Sequence, residues 1–187
     1  DGAGLVVTAP TTVISKRGDV LNRPVLTVTL SSPLEGVIRV RVAHHTGAGW
    51  HGGFALPGAQ RDAATATVSA SGGALASGPL TASIAQGAPW DLSFELDGRR
   101  ITGSGNRAAA YLRLAEGAGV DRGIVGNARM DTGLPDVDRF IREQLDLGVG
   151  EQIYGLGERF GPVVKNGQTV DIWNADGGTS SEQAYKS

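Results

Sequence analysis

Nine consecutive residues concentrate most of the potential chemistry in this chain of 187 residues: Trp173-Asn174-Ala175-Asp176-Gly177-Gly178-Thr179-Ser180-Ser181. They combine an indole, one carboxylate, one amide, three hydroxyls and two glycines. A carboxylate accepts hydrogen bonds from two neighbouring hydroxyls, and an indole covers the C–H face of a sugar ring. Gly-Gly lets the backbone approach closely, so the mixture suits a polyhydroxylated ligand. The same residues also read as structure alone. Asp-Gly and Gly-Gly are ordinary turn residues, and Thr179-Ser180-Ser181-Glu182 fits a capping box that starts a short helix at Gln183. Composition by itself favours that plainer reading.

The element that must position the loop lies just upstream. Asn166-Gly167 sits between Val163-Val164-Lys165 and Gln168-Thr169-Val170-Asp171-Ile172-Trp173, and Asn-Gly flanked by strand formers predicts a tight hairpin. The segment is therefore expected to be a β-ribbon whose far arm runs into the loop. Competing chemistries are weaker. Asp171 and Glu182 have the end-to-end spacing of a calcium loop, yet its third and fifth places hold Trp173 and Ala175, which offer no side-chain oxygen. Gly155-Leu156-Gly157 lacks the third glycine of a dinucleotide fingerprint. His44, His45 and His51 have no nearby carboxylate or cysteine to complete a metal site, so they are read as loop histidines and no metal is expected.

Several pieces form one ordered signature: Val149-Gly150-Glu151, Tyr154-Gly155-Leu156-Gly157-Glu158-Arg159-Phe160, Asn166-Gly167-Gln168-Thr169-Val170, Trp173 to Thr179, and Glu182-Gln183-Ala184-Tyr185-Lys186. The signature resembles the N-terminal domain of glycoside hydrolase family 31, especially its α-xylosidase branch. Arg17-Gly18-Asp19 with Leu21-Asn22, and Ser31-Ser32-Pro33 with Glu35 to Val40, carry a fainter likeness. The resemblance implies an all-β, mostly antiparallel two-layer β-sandwich of the galactose-mutarotase-like type. Residues 1–187 would be a single N-terminal domain, and a loop at about 165–186 would reach over a neighbouring catalytic (β/α)8 barrel that this chain does not contain.

The resemblance also implies roles. Asp176, supported by Trp173, Asn174, Gly177, Gly178 and Thr179, would contact an oligosaccharide in the leaving-group subsite. Retaining hydrolysis needs two carboxyl groups about 5 to 5.5 Å apart, and in the family both lie on the barrel. Asp91, Glu95 and Glu158 show no paired partner along the sequence. The chain alone is thus expected to be inactive, with Asp176 orienting substrate rather than moving a proton. No cofactor is expected, and the choice between xylose and glucose falls to the barrel. A homo-oligomeric parent is compatible with this. The alternative is a free-standing carbohydrate-binding or structural sandwich with no enzymatic parent. Two departures stand out: Ser187 occupies a place where Asn is common, and the strand that would follow is missing, which predicts an unpaired edge and a frayed final segment.

Composition agrees with a scaffold. A chain of this length buries roughly 70% of its unfolded surface, enough for one good core. Gly 29 is about double average usage, while 40% hydrophobic residues argue against disorder; many tight turns between short strands reconcile the two. A formal net charge of −2 and no Lys/Arg run make nucleic acid an unexpected partner. No apolar run approaches membrane-spanning length. The lack of cysteine fits a reducing compartment, so a cytoplasmic location is expected. Asp1 in place of an initiator Met suggests a piece of something longer.

Periodicity supplies the strands. Leu5 to Thr8 and Thr12 to Ser15 read as two short strands before the turn Lys16 to Asp19. Leu26, Val28 and Leu30 alternate with Val25, Thr27 and Thr29, a Ser31-Ser32-Pro33 break follows, and Ile38, Val40 and Val42 oppose Arg39 and Arg41. Residues 46–65 read as a loop, and Ser71-Gly72-Gly73 as a turn. Trp90, Leu92, Phe94 and Leu96 alternate with Asp91, Ser93, Glu95 and Asp97 as a core face, and Asp97-Gly98 closes a hairpin onto Arg99 to Thr102. Ala110, Leu112 and Leu114 repeat the pattern, bringing the count to some ten short strands. The local pattern of Asp136 to Leu147 favours a helix, but the resemblance implies a strand leading into Gly148-Val149-Gly150-Glu151, and a sheet-on-sheet architecture needs strand pairing there, so a strand is predicted.

Overall fold

The computed structural model describes residues 4–21, 24–44, 64–115, 137–157 and 161–170. Among them are ten strands, a single 3₁₀ turn (Arg17–Val20) and no α-helix. Strands β1 (Gly4–Pro10), β2 (Val25–Leu34) and β3 (Val37–Ala43) form one sheet in chain order. Strands β4 (Ala64–Ser69), β5 (Gly72–Ser77), β6 (Leu80–Ala85), β7 (Leu92–Leu96) and β8 (Arg99–Ser104) form a five-stranded meander. Strands β9 (Ala110–Ala115) and β10 (Val137–Arg142) pair with each other. Both larger sheets are antiparallel throughout.

The chain divides into two compact units, residues 1–112 with 140–146, and residues 113–139 with 147–187. In the first, the two larger sheets lie face to face. β1 packs on β4 and β5, β2 on β5, and β3 on β5 and β6. Alternation decides what enters the interlayer: Leu26, Val28 and Leu30 from β2, Leu75 from β5, Ala82 and Ile84 from β6, and Leu92 from β7 are buried. Ile38, Val40, Val42, Trp90 and Phe94 pack against that cluster from positions closer to solvent. Removing a leucine side chain from water contributes about 1.5–3 kcal/mol, so Leu30, Leu75 and Leu92 are principal anchors of this two-layer β-sandwich.

Polar groups in the interlayer are satisfied. The Trp90 indole Nε1 donates to Ser104 Oγ at 2.9 Å. Ser77 Oγ meets Ser32 Oγ at 2.7 Å and accepts from the Gly36 amide at 3.1 Å, while Ser32 Oγ donates to the Leu34 carbonyl at 2.7 Å. These bonds tie the β2–β3 turn to the opposite sheet.

Four local expectations are corrected. Ser31-Ser32-Pro33 is no break: β2 continues through it with a register shift between Ser31 and Leu34. An irregularity of that kind tolerates proline's missing donor, and the Ser32–Ser77 bond holds it. Thr12 to Ser15 forms no strand, with Val13 73% exposed; Asp19 instead gathers the Ser15 and Lys16 amides at 3.0 Å and turns the chain. The turn between β4 and β5 is Ala70-Ser71, and the two glycines after it lie within β5. Leu96, at the end of β7, is 40% exposed rather than core.

The Asp97-Gly98 hairpin and the strands after it follow the sequence. Asp97 and Gly98 both have positive φ, 50° and 74°, as a two-residue hairpin of type I′ requires. β9 falls at Ala110–Ala115, and β10 occupies the first half of the ambiguous 136–147 segment. The second half runs alongside β8: the Asp146 amide donates to the Gly103 carbonyl at 2.8 Å, Thr102 Oγ1 donates to the Asp146 carbonyl at 2.9 Å, and Arg100 pairs with the Asp146 carboxylate at 2.9 Å. That edge strand therefore has partners for part of its length, which blunts it against pairing with another chain. Among the described residues no helix is long and apolar enough to cross a membrane.

Candidate functional site

The turn that launches the predicted substrate loop is present, and it is braced in a way the sequence did not disclose. The Gln168 amide donates to the Lys165 carbonyl at 3.1 Å, closing a turn at Asn166-Gly167 in which Gly167 has φ 70°. The expected β-ribbon does not form across it, since residues 161–170 carry no strand. The near arm pairs sideways instead. The Lys165 amide donates to the Ile153 carbonyl at 2.8 Å. The Asn166 side chain completes the bridge, its Oδ1 accepting from the Ile153 amide at 2.8 Å and its Nδ2 donating to the Glu151 carbonyl at 2.9 Å. One amide side chain thus imitates two rungs of a strand ladder.

The strand-like partner, residues 151–153, is fixed from its other end. The Gly148 amide donates to Glu151 Oε2 at 2.5 Å, and the Glu151 amide returns a bond to the Gly148 carbonyl at 3.1 Å. Downstream, Gly155, Leu156 and Gly157 have φ of 108°, 71° and 73°. Leucine rarely adopts such a conformation, at a cost of about 1–2 kcal/mol. The Tyr154 hydroxyl donates to Gln152 Oε1. Two parts of the motif that are far apart in sequence, 148–157 and 165–168, therefore form one braced platform. The side-chain use of Asn166 escaped sequence reasoning, because Asn-Gly is already fully explained as a turn.

The predicted sugar-contacting residues Trp173, Asn174, Asp176, Gly177, Gly178 and Thr179 lie outside the described residues, as do Glu158, His45, His51 and most of the 46–65 loop. His44 stacks on Tyr111 with ring centroids 4.4 Å apart. Among the described residues no group of three metal-ligating side chains occurs. Glu95 lies in β7 and Asp91 immediately precedes that strand, four residues away. At about 3.3 Å per residue they stand about 13 Å apart, well beyond the separation that two carboxyls need across a glycosidic bond. Around Asp91, the outer face of the five-stranded sheet forms an open depression of about 300 Å³ that Thr67, Ser69, Ser83 and Ser93 also line.

Comparison with known proteins decides the family. A sequence model of the glycosyl hydrolase 31 N-terminal galactose mutarotase-like domain matches residues 27–187. The chain belongs to this family. As a glycosyl hydrolase 31 N-terminal domain, it is 37% identical over 187 residues to alpha-xylosidase XylQ of Lactiplantibacillus pentosus, covering 100% of this chain and 22% of that protein. It is 36% identical over 185 residues to an alpha-xylosidase of Emericella nidulans, covering 91% of this chain and 22% of that protein. The domain thus spans about a fifth of the length of the relatives it matches. The family description names a galactose mutarotase-like domain, with which the two-layer antiparallel sandwich agrees, and residues 148–168 lie wholly inside the matched region.

Proposed function

We propose that this chain is the noncatalytic N-terminal domain, residues 1–187, of a retaining α-glycosidase of the α-xylosidase type acting on oligosaccharides. The observation that carries the reading is the match along the chain to two alpha-xylosidases, each of which continues well beyond the matched part. The paired carboxyl groups that cleave the bond come from the remainder of the protein, a (β/α)8 barrel on which this domain packs. The loop at 165–186 reaches the substrate pocket. There Asp176 accepts hydrogen bonds from hydroxyls of the leaving-group sugar, Trp173 covers a C–H face, and Gly177 and Gly178 keep the backbone close. The braced turn at Asn166 supports this role, because a loop that contributes through positioning needs a fixed base.

The wide spacing of Asp91 and Glu95 supports assigning catalysis elsewhere. Purified 187-residue chain incubated with an aryl α-xyloside is expected to release no aglycone above the buffer rate, whereas the complete polypeptide releases it. Turnover by the isolated chain that survives repurification overturns the assignment. Failure of the complete polypeptide to act on any α-xyloside or α-glucoside removes the glycosidase reading.

A further inference from the structure

Asn166 is the one asparagine of the chain's five that precedes a glycine: Asn22 and Asn106 precede arginine, and Asn127 and Asn174 precede alanine. That pairing has a covalent consequence besides its turn. The backbone nitrogen after an asparagine can attack the side-chain carbonyl carbon, and glycine, lacking a Cβ, leaves the approach clear. The surroundings leave it clear too. Asn166 and Gly167 are both exposed, no neighbouring atom lies within 4 Å of where a Cβ on Gly167 would stand, and among the described residues the Gly167 amide donates to no acceptor. The turn carries its positive φ at Gly167 alone, the type II pattern, which splays the flanking chains instead of zipping them into a ladder. Only the side chain of Asn166 is held. Its Oδ1 and Nδ2 are both committed to the backbone of residues 151 and 153, at 2.8 and 2.9 Å. Attack makes the planar amide carbon tetrahedral and draws it onto the Gly167 nitrogen, so the side chain must first leave both partners.

We propose that Asn166 is a site of spontaneous deamidation, gated by its own brace, whose product cannot rebuild that brace. The Gly167 nitrogen loses its proton and bonds to Asn166 Cγ. The Cγ–Nδ2 bond breaks, Nδ2 leaves as ammonia with that proton, and a cyclic imide remains. Water then adds to one of the two imide carbonyls, giving aspartate, or isoaspartate with one more methylene in the main chain. In the aspartate a carboxylate oxygen faces the Glu151 carbonyl where Nδ2 had donated, so a hydrogen bond becomes a meeting of two acceptors. Isoaspartate carries the same carboxylate on a displaced backbone. The step is therefore one-way: it consumes the only donor that ties the turn to residue 151. Together the two bonds of the intact brace are expected to slow the reaction about 5- to 150-fold relative to the same sequence without them.

The test incubates the 187-residue chain and a synthetic peptide of residues 162–171 side by side in mildly alkaline buffer. Peptide mapping follows the mass gain of amide-to-acid conversion, which isomerisation at the chain's Asp-Gly pairs does not produce. The chain should convert at Asn166 ahead of its other four asparagines, about 5- to 150-fold more slowly than the peptide. Glu151→Ala removes the bond from the Gly148 amide that fixes the far side of the brace, and should move the rate towards that of the peptide. Hydrogen exchange at the Ile153 amide should be faster in the converted chain while Val28 and Leu30 stay protected, and Asn166→Asp should reproduce that change without ageing. Conversion at the peptide's rate would mean that the brace does not hold the side chain. No conversion while the peptide converts fully would mean a locked site, and unchanged Ile153 exchange after conversion would mean that the product keeps the brace. Each of these three results overturns the inference. None of them depends on what the 165–186 loop binds, so the inference and the proposed function fail separately.

Discussion

Gly72 and Gly73 read as turn residues in the sequence but lie inside β5, and the structure assigns each a different reason for having no side chain. A Cβ on Gly73 would stand 2.9 Å from both terminal methyls of Leu5, across the interlayer. Its cost is overpacking against a movable side chain, about 1–3 kcal/mol. A Cβ on Gly72 would stand 2.1 Å from the Ile84 carbonyl oxygen, which belongs to the paired strand β6, and Gly72 has φ 146°. Backbone cannot yield as a side chain can, so Gly72→Ala must break β5–β6 pairing as well as accept conformational strain. About 4 kcal/mol or more is expected from the sum of strain and lost ladder bonds. Gly98 supplies the control: its φ is 74°, with open space where a Cβ would go, so Gly98→Ala should cost only the strain, about 1–2 kcal/mol.

Urea unfolding of the 187-residue chain measures all three. The midpoint should fall most for Gly72→Ala. Gly73→Ala should be partly rescued by Leu5→Ala, the double variant being at least about 1 kcal/mol more stable than additivity allows, whereas Leu5→Ala should do nothing for Gly98→Ala. A Gly72→Ala loss no greater than that of Gly98→Ala, or strict additivity of Gly73→Ala with Leu5→Ala, would refute this account of the interlayer.

Three further substitutions test the facing of β7 and the brace at the site. Phe94 packs against the core while Asp91 is exposed, so Phe94→Ala should cost about 3 kcal/mol and Asp91→Ala should stay within about 0.5 kcal/mol in the same urea assay. Asn166→Ala removes two hydrogen bonds, to Glu151 and Ile153, each worth about 0.5–1.5 kcal/mol. Hydrogen exchange at the Ile153 amide should accelerate roughly 5- to 150-fold while the amides of Val28 and Leu30 keep their protection.

The sandwich was legible because period-two alternation is a direct record of which side chains face the interlayer. Leu26, Val28 and Leu30 are buried as their spacing requires. Reading failed where one residue type serves two physical ends. Ser-Ser-Pro spells a break, yet Ser32 and Ser77 bond across the layers and hold the strand together. Gly-Gly spells a turn, yet both residues make room for a neighbouring strand or a facing leucine. Thr12 to Ser15 has strand composition but pairs with no strand among the described residues, and an acidic side chain four residues on captures its backbone instead. At the site, Asn-Gly announced the turn, whereas nothing local could reveal that the amide of Asn166 would reach back to residues 151 and 153. Such contacts are set by tertiary placement, which a single sequence does not display.

Steady-state kinetics of Asp176→Ala in the complete polypeptide test most directly the proposal that Asp176 orients the leaving-group sugar. A hydrogen bond to a charged group is worth about 1.5–3 kcal/mol, so kcat/KM on a xylose-terminated disaccharide should fall about 10- to 150-fold. On an aryl α-xyloside, whose leaving group carries no sugar hydroxyls, the loss should be much smaller, with an unchanged melting temperature. Equal losses on both substrates would contradict the claim and remove Asp176 from the leaving-group subsite.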